Sequence, residues 1–329
     1  MKNRLLKILE NFKGKKILVI GDIMLDKYIW GDVLRISPEA PVQVVNVLKE
    51  TFEAGGAANV ANNISALSGN AFMVGITGND DARKILLEEL RKKNIDVSGV
   101  LIDKDKPTTQ KVRILGKGQQ LLRVDYESRE HVHDSIENSI VDFLEKNILD
   151  ADVLIISDYA KGVLTSQISR KAIEISKKFG KPIIVDPKPK HMEFYAGVTL
   201  ITPNSAEASE MSGIEDVNDE ATIEMGNQLM KSLNTNVLIT RGEKGMSFFG
   251  LDGSKTQIPA KAREVYSLIG AGDTVVATIA LALASGANFG EAAILSNIAA
   301  GIKVGKIGTA TVSVDEIKKE IENGKSYLS

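Results

Sequence analysis

The chain contains no cysteine. Disulfides and thiolate zinc sites are excluded, and a reducing, cytoplasmic setting is the expectation. Nor does charge of one sign dominate: 41 Lys and Arg against 43 Asp and Glu leave a net charge of −2. A general nucleic-acid binder carries a basic excess, so any anion site must be local, built from a few cations and backbone N–H groups. No apolar stretch reaches the ~20 residues of a membrane span. The longest weakly polar run, Thr274 to Ala287, is rich in small residues, as a buried helix would be. The start, Met1 to Glu10, reads as an amphipathic helix with charges inside it and not as a signal peptide. No targeting or membrane role is expected.

Some catalytic signatures are missing as well. There is no Gly-x₄-Gly-Lys-[Ser/Thr] loop, and Val275 stands where the dinucleotide fingerprint needs its third glycine. The histidines number three, and they form no metal pattern. His131 and His133 lie in a charged stretch and read as surface residues.

What remains is an ordinary globular composition, 43% hydrophobic and 26% charged over 329 residues, enough for a sizeable core. Short β-branched runs recur at Lys16–Ile20, Phe72–Ile76, Val153–Ser157, Ile183–Asp186, Leu200–Thr202 and Val237–Thr240. Several are apolar on both faces, as strands covered by helices on both sides must be. Amphipathic stripes lie between them, one through Ile136, Ile140, Phe143 and Leu144. Another runs through Ile168, Ala172, Ile175 and Phe179 and is stopped by Gly180. This alternation predicts an α/β fold with a doubly wound, mostly parallel sheet. Two stretches, about 29–52 and 100–126, read as extended, with alternation in Val42–Val47 and Thr109–Ile114. They are expected to form a small β-sheet lid inserted into a single domain of residues 1–329. The plain alternative makes them edge strands of the main sheet.

The strongest chemical signal is Gly270-Ala271-Gly272-Asp273-Thr274, followed by an apolar helix. Glycines permit a tight turn, and the helix start offers free N–H groups and the positive end of its dipole. Together they suit a phosphoryl group, and a carboxylate there can take the proton of an attacking hydroxyl. The plain alternative is that Asp273 is an N-cap. Ala54-Gly55-Gly56-Ala57-Ala58-Asn59 removes bulk where a ligand or another backbone must approach. Asn59 adds a donor and an acceptor suited to a sugar hydroxyl; close helix–strand packing explains the small residues equally well. Asp22 and Asp26 follow the first strand, where α/β folds bind ligands, and they could hold hydroxyls or simply cap a loop. Asn204-Ser205-Ala206-Glu207 has capping-box spacing, yet the same spacing could set an amide and a carboxylate near a phosphate–Mg²⁺ site. Asp186, with Lys188, ends its own strand and could add metal or phosphate contacts. Thr240-Arg241-Gly242-Glu243-Lys244-Gly245 offers nucleotide contacts.

An early Gly-Gly-x-x-Asn, a central Asn-x-x-Glu and a late Gly-Ala-Gly-Asp, in this order over the full length, resemble the ribokinase-like (PfkB) sugar kinases. The match is closer to one branch, the D-glycero-β-D-manno-heptose-7-phosphate kinases. It is carried by Gly21–Asp26, Arg35–Val42, Gln119–Asp125, Ser157-Asp158-Tyr159-Ala160-Lys161-Gly162 and Val304–Thr309. The resemblance implies a Rossmann-like core with a β-sheet lid often used for dimerisation. It implies ATP with Mg²⁺, a monovalent cation remaining open, and Asp273 as the base beside the Gly270, Ala271 and Gly272 turn. It implies a nucleotide–metal site at Asn204, Ser205, Ala206 and Glu207, with Asp186 on the metal and Thr240, Arg241, Gly242, Gly245 and Asn297 on ATP. The sugar would lie among Asp22, Asp26, Gly55, Gly56, Asn59 and the loop of Arg35, Ser37 and Glu39. Its own phosphate would fall to Arg35, Arg123, Lys161 and Lys188. The branch implies transfer to the anomeric hydroxyl of heptose 7-phosphate on the route to ADP-heptose. Fructose, ketodeoxygluconate or another sugar phosphate is the nearest alternative substrate, and a non-catalytic sugar- or nucleotide-binding regulator the alternative of another class. Two departures stand out. Ser267-Leu268-Ile269 replaces the usual approach to the turn. The chain also lacks the His-x-Gly-His motif of the nucleotidyltransferase domain that many relatives carry, so a separate downstream enzyme is expected.

Overall fold

A computed structural model describes every residue except 261–265, 307, 309 and 324–329. Residues 307 and 309 of the Val304–Thr309 motif therefore lie outside the described residues. The strands are β1 Lys16–Gly21, β2 Ile23–Ile36, β3 Gln43–Gly56, β4 Asn70–Thr77, β5 Asp96–Ile102, β6 Thr109–Gly116 and β7 Gln119–Tyr126, then β8 Val153–Ser157, β9 Ile183–Asp186, β10 Leu200–Ile201, β11 Asn236–Thr240, β12 Met246–Phe249 and β13 Lys255–Ile258. The α-helices are α1 Lys2–Glu10, α2 Ala57–Ala66, α3 Asp81–Lys92, α4 Asp134–Asn147 and α5 Ser166–Lys178, then α6 Ser205–Ser212, α7 Asp219–Leu233, α8 Ala271–Ala284, α9 Phe289–Val304 and α10 Val314–Asn323.

Nine strands form the main sheet in the order β13-β12-β11-β10-β9-β8-β1-β4-β5, and four form a second sheet, β3-β2-β6-β7. From β11 to β5 the main sheet is parallel; β12 and β13 close its edge antiparallel. Alternate residues of β1 feed two cores. Ile17 and Val19 pack with α2, α8 and α9, while Leu18 and Ile20 pack with α4 and α5. That two-sided burial is why the central strands read as unbroken apolar runs.

The small sheet departs from the expected bounds. Its first strand starts at Ile23 and not near residue 29, because β2 leaves β1 with only Asp22 between them. Residues 100–102 belong instead to β5, which pairs with β4 in the main sheet. In the lid register, Asp26 faces Glu53 on β3 and Lys111 on β6, and Tyr28 faces Arg113. Strand alternation puts these five side chains on one face. The lid also carries much uncovered apolar surface, including Leu34, Ile36, Val47, Leu48 and Leu122, and every residue of β7 is exposed.

Candidate active site

The turn before α8 is built by Gly270, whose φ of +75° is strained for any residue with a Cβ. Gly270 is the N-cap, so Asp273 falls in the first turn and makes no cap bond. Its carboxylate has other partners. Asn59 Nδ2 donates to Oδ2 at 2.6 Å, and the Tyr159 hydroxyl donates to Oδ1 at 2.9 Å. The small residues of α2 let that helix press on α8: Thr274 Oγ1 donates to Asn63 Oδ1 at 2.8 Å, and Asn63 Nδ2 donates to the Asn59 carbonyl at 2.8 Å. Burial pushes the Asp273 carboxyl above the usual range, aided by Asp26; the Asn59 and Tyr159 donors and Lys303 oppose it.

The N–H of Ala271 bonds the Leu268 carbonyl at 3.2 Å, whereas those of Gly272 and Asp273 have no backbone acceptor among the described residues. The space where a Gly272 Cβ would stand is open. The Gly270 N–H likewise has no acceptor among the described residues, so of the expected Gly270–Gly272 turn only the Ala271 N–H is engaged. Lys303 lies fully buried behind the turn, and its Nζ donates to the Gly308 carbonyl at 2.6 Å. The backbone of Tyr266 and Ser267, entering the turn, is held by the Val304 carbonyl at 2.8 and 3.2 Å.

The glycine pair acts through packing. A Cβ on Gly55 would meet Asp26 Oδ2 at 2.7 Å, and one on Gly56, at φ +57°, would meet the Asp22 carbonyl at 2.5 Å. Asp26 itself is engaged by Arg113 Nη1 at 2.6 Å. Asp22, expected on sugar hydroxyls, is occupied elsewhere. Its carboxylate accepts the N–H groups of Tyr159, Lys161 and Val163 at 2.9–3.1 Å. It clasps the loop that delivers Tyr159. Arg35, Ser37 and Glu39 sit at the far tip of the β2–β3 hairpin. Nine residues of strand beyond Asp26 put Arg35 roughly 30 Å away, so one chain does not bring this loop to Asp273. Asn59 does face Asp273, and its Oδ1 is buried without a partner among the described residues, as are Tyr28 Oη and Glu53 Oε2. Burial, then Asp26, pushes the Tyr28 hydroxyl up to about 12, so it remains a donor at neutral pH.

Three cations, Arg113, Arg123 and Lys161, lie close enough to Lys111 to act on its charge. Arg113 pairs with Asp26, Arg123 with Asp125 at 2.9 Å, and Lys161 with Glu127. Lys111 has no carboxylate partner among the described residues; its Nζ stands 6.0 Å from the Tyr159 ring centre. Burial depresses its pKa, with Asp26 opposing and Lys161, Arg123 and Arg113 reinforcing. Lys188, expected at the same phosphate, instead pairs with Glu207, while its Nζ lies 5.8 Å from the Tyr159 ring centre.

On the nucleotide side, Asn204 and Glu207 form the capping box that their spacing allowed: Glu207 N–H to Asn204 Oδ1 at 3.0 Å, and Asn204 N–H to Glu207 Oε2 at 3.1 Å. Asn204, Ser205, Ala206, Thr240, Arg241 and Gly242 line one cleft of ≈ 300 Å³. The Arg241 guanidinium is held against Asp219 and, at 3.3 Å, Ser247, and Gly245 closes the turn by accepting the Arg241 N–H at 2.8 Å. Asn297 Nδ2 braces the Pro259 carbonyl at 3.0 Å. Burial, then the charges of Asp273 and Glu207, holds the Asp186 carboxyl well above its ordinary range. Asp186 accepts no side-chain hydrogen bond among the described residues. Surplus negative charge with Lys188 as its main counterweight fits a divalent cation. Only Asp103, Asp105 and His133 form a tight three-ligand group among the described residues, so Asp186 and Glu207 make no closed cage. Mg²⁺ needs none, since it takes one or two carboxylates along with phosphate oxygens and water.

Tyr159, Lys111, Arg113, Lys303 and the buried His191 do not stand out in the sequence, although Tyr159 lies inside the Ser157–Gly162 motif. Their signal is tertiary. No helix is long and apolar enough to cross a membrane among the described residues.

Residues 14–317 match the model of the pfkB family carbohydrate kinases. The chain is 45% identical over 301 residues to the bifunctional protein HldE of Geobacter sulfurreducens, covering 91% of this chain and 61% of that protein. It is 42% identical over 318 residues to that of Helicobacter hepaticus, covering 96% and 66%. The chain thus spans less than two thirds of the length of these relatives. Arabidopsis thaliana ribokinase complexed with ribose and ATP shares the fold at a TM-score of 0.75 and 22% identity, covering 94% of this chain and 100% of that one. Escherichia coli phosphofructokinase-2 with substrates and products does so at 0.74 and 20%, covering 94% and 98%. A ribokinase-like fold, and a family match over nearly all of the sequence, place the chain in the pfkB family of carbohydrate kinases, which phosphorylate a sugar alcohol group.

Proposed function

We propose that the chain transfers the γ-phosphoryl group of ATP to the anomeric hydroxyl of D-glycero-D-manno-heptose 7-phosphate, giving the 1,7-bisphosphate for ADP-heptose synthesis. The observation that carries the chemistry is Asp273, oriented at both oxygens beside two unengaged N–H groups and open space over Gly272. As the sugar oxygen bonds to phosphorus, its proton passes to the Asp273 carboxylate, the bond to the ADP oxygen breaks, and the Gly272 and Asp273 amides meet the equatorial oxygens. Asp186 and Glu207 would hold Mg²⁺, which when bound offsets phosphate charge. The cleft along Asn204–Ala206 and Thr240–Gly242 would take the nucleotide.

Lys111 supports an acceptor that carries its own phosphate. Its three cationic neighbours are paired with carboxylates, whereas Lys111 has no carboxylate partner among the described residues, which leaves an ammonium for a phosphate to meet. Fructose and ketodeoxygluconate lack that group. Similarity to the HldE proteins supports the heptose in particular. The uncovered apolar lid supports a homodimer through that sheet, and the cysteine-free sequence supports a cytoplasmic setting. Purified protein with Mg·ATP should release ADP with heptose 7-phosphate far faster than with fructose 6-phosphate, fructose or ketodeoxygluconate, and NMR should place the new phosphate on C1. Preference for any other acceptor ends the heptose reading, and no ADP release with any sugar ends the kinase reading.

A further inference from the structure

Asp273 is gripped from two unrelated parts of the fold. Asn59 comes from α2; Tyr159 comes from the loop after β8. That loop is itself pinned. Asp22 accepts three of its N–H groups, and the Asp158 carboxylate accepts the Ala160 N–H at 2.7 Å and the Tyr195 hydroxyl at 2.6 Å. His191 Nδ1 lies 2.6 Å from the same Asp158 oxygen as the Tyr195 hydroxyl. Ala160 is held at φ +53°, a conformation a non-glycine residue adopts only when its surroundings impose it. So much fixation delivers one thing to the reaction centre, a phenol hydroxyl on Asp273 Oδ1.

We propose that Tyr159 is a positioning residue for phosphoryl transfer: its hydroxyl fixes the orientation of the Asp273 carboxylate and keeps it ionised, leaving a free lone pair for the acceptor hydroxyl. The inference rests on the reading of Asp273 as the base. Tyr159 does not itself trade protons with substrate. Burial, Asp273 and Asp186 push its phenol well above its ordinary value, so it is a donor at every working pH. A hydrogen bond donated to the charged form of a carboxyl lowers its pKa. Here that donation opposes burial and the Asp26 charge, which raise it.

The groups facing Asp273 are Asn59 on α2, Asp26 on β2, Tyr159, Asp186 on β9 and Lys303 on α9. Those facing Tyr159 are Asp26, Asp186, Asp273, Lys111 on the lid and Lys188 after β9. His191 reaches Tyr159 only through Asp158.

The test is kcat/KM for the acceptor sugar against pH, for wild type and Tyr159→Phe. The substitution removes one oxygen and leaves the ring between Lys111 and Lys188. The expected result is a loss that approaches about tenfold on the acid side of the profile, the usual worth of a hydrogen bond to a charged group. The acidic limb should move up by about one pH unit, activity should recover toward wild type at alkaline pH, and KM for ATP should change less than about twofold. A limb that stays in place, with a loss uniform across pH, overturns the proposal. So does a His191→Gln protein whose limb moves as far as that of Tyr159→Phe, since the limb would then belong to the imidazole. Asp273→Asn run in parallel separates the two levels: if it turns over normally, the base reading falls; if it is dead while the Tyr159→Phe limb is unmoved, only the role of Tyr159 falls. Site-specific 3-fluorotyrosine at position 159, a stronger donor of nearly the same shape, provides the opposite sign in case the Phe protein folds poorly. It should move the limb down, and an unmoved limb again overturns the proposal.

Discussion

β8 and β7 sit in the same chain and could hardly be less alike. Every residue of β8 is buried, between two helix layers, and every residue of β7 is exposed, at the edge of the lid. The first is finished by folding. The second still presents Leu122, Val124 and Tyr126 to solvent, and its neighbour β6 sets Lys111, with no carboxylate partner among the described residues, near the Tyr159 ring. Burial is thus concentrated in the main sheet, whereas on our reading recognition is left to the lid, with sugar on one side and a second copy on the other.

The sharpest way to test this division is at the junction of the two regions. Asp273→Asn should lower kcat by ~10²–10⁴, the worth of a general base, with ATP affinity by calorimetry almost unchanged. Next comes a paired comparison in urea. Ile155→Ala, in the covered sheet, should lower stability by about 2–4 kcal/mol, as cavities in cores do. Leu48→Ser, at 70% exposure on the lid, should stay within about 0.5 kcal/mol as a folded chain while shifting the mass seen by light scattering toward monomer. Equal destabilisation by both would erase the contrast. Third, Lys111→Met should raise KM for a phosphorylated acceptor by about tenfold or more, the worth of one charge-assisted contact, leaving KM for ATP unchanged.

The smallest effect concerns stability against pH. The folded Asp273 carboxyl binds its proton more tightly than the unfolded one, because burial raises its pKa. Between the unfolded value near 3.8 and the higher folded value the native state holds more protons, so this group's contribution to stability falls as pH rises through that window. Wild type minus Asp273→Asn melting temperatures should therefore be most negative above the window and shrink toward zero below it. A base that is costly to bury trades stability for function.

The same contrast governs what was legible in the sequence. Val153–Ser157 and Ile183–Asp186 read as strands because two-sided burial leaves an apolar run. The lid bounds slipped because β2 continues from β1 with a single residue between, and no turn signal marks the passage. β12, between Gly245 and Gly250, and β13, between Ser254 and Pro259, are four residues each, too short for a period to show. At the site, Asp273 and Asn59 were readable because glycines and alanines flag close approach on the chain itself. Tyr159 and Lys111 were not, since each matters through a neighbour about fifty or more positions away, and Asn204–Glu207 showed its capping role at the surface of the pattern while hiding the tie to Lys188.

The one-residue passage at Asp22 also limits how the enzyme can move. A flap on a loose tether swings independently; this one has two torsions at Asp22 and a tight bend at Gly56, where the Ala57 N–H bonds the Asp22 carbonyl at 3.0 Å. The same Asp22 side chain clasps the backbone that holds Tyr159 against Asp273. A tilt of the small sheet about Asp22 is therefore coupled to the loop that holds Tyr159 on Asp273.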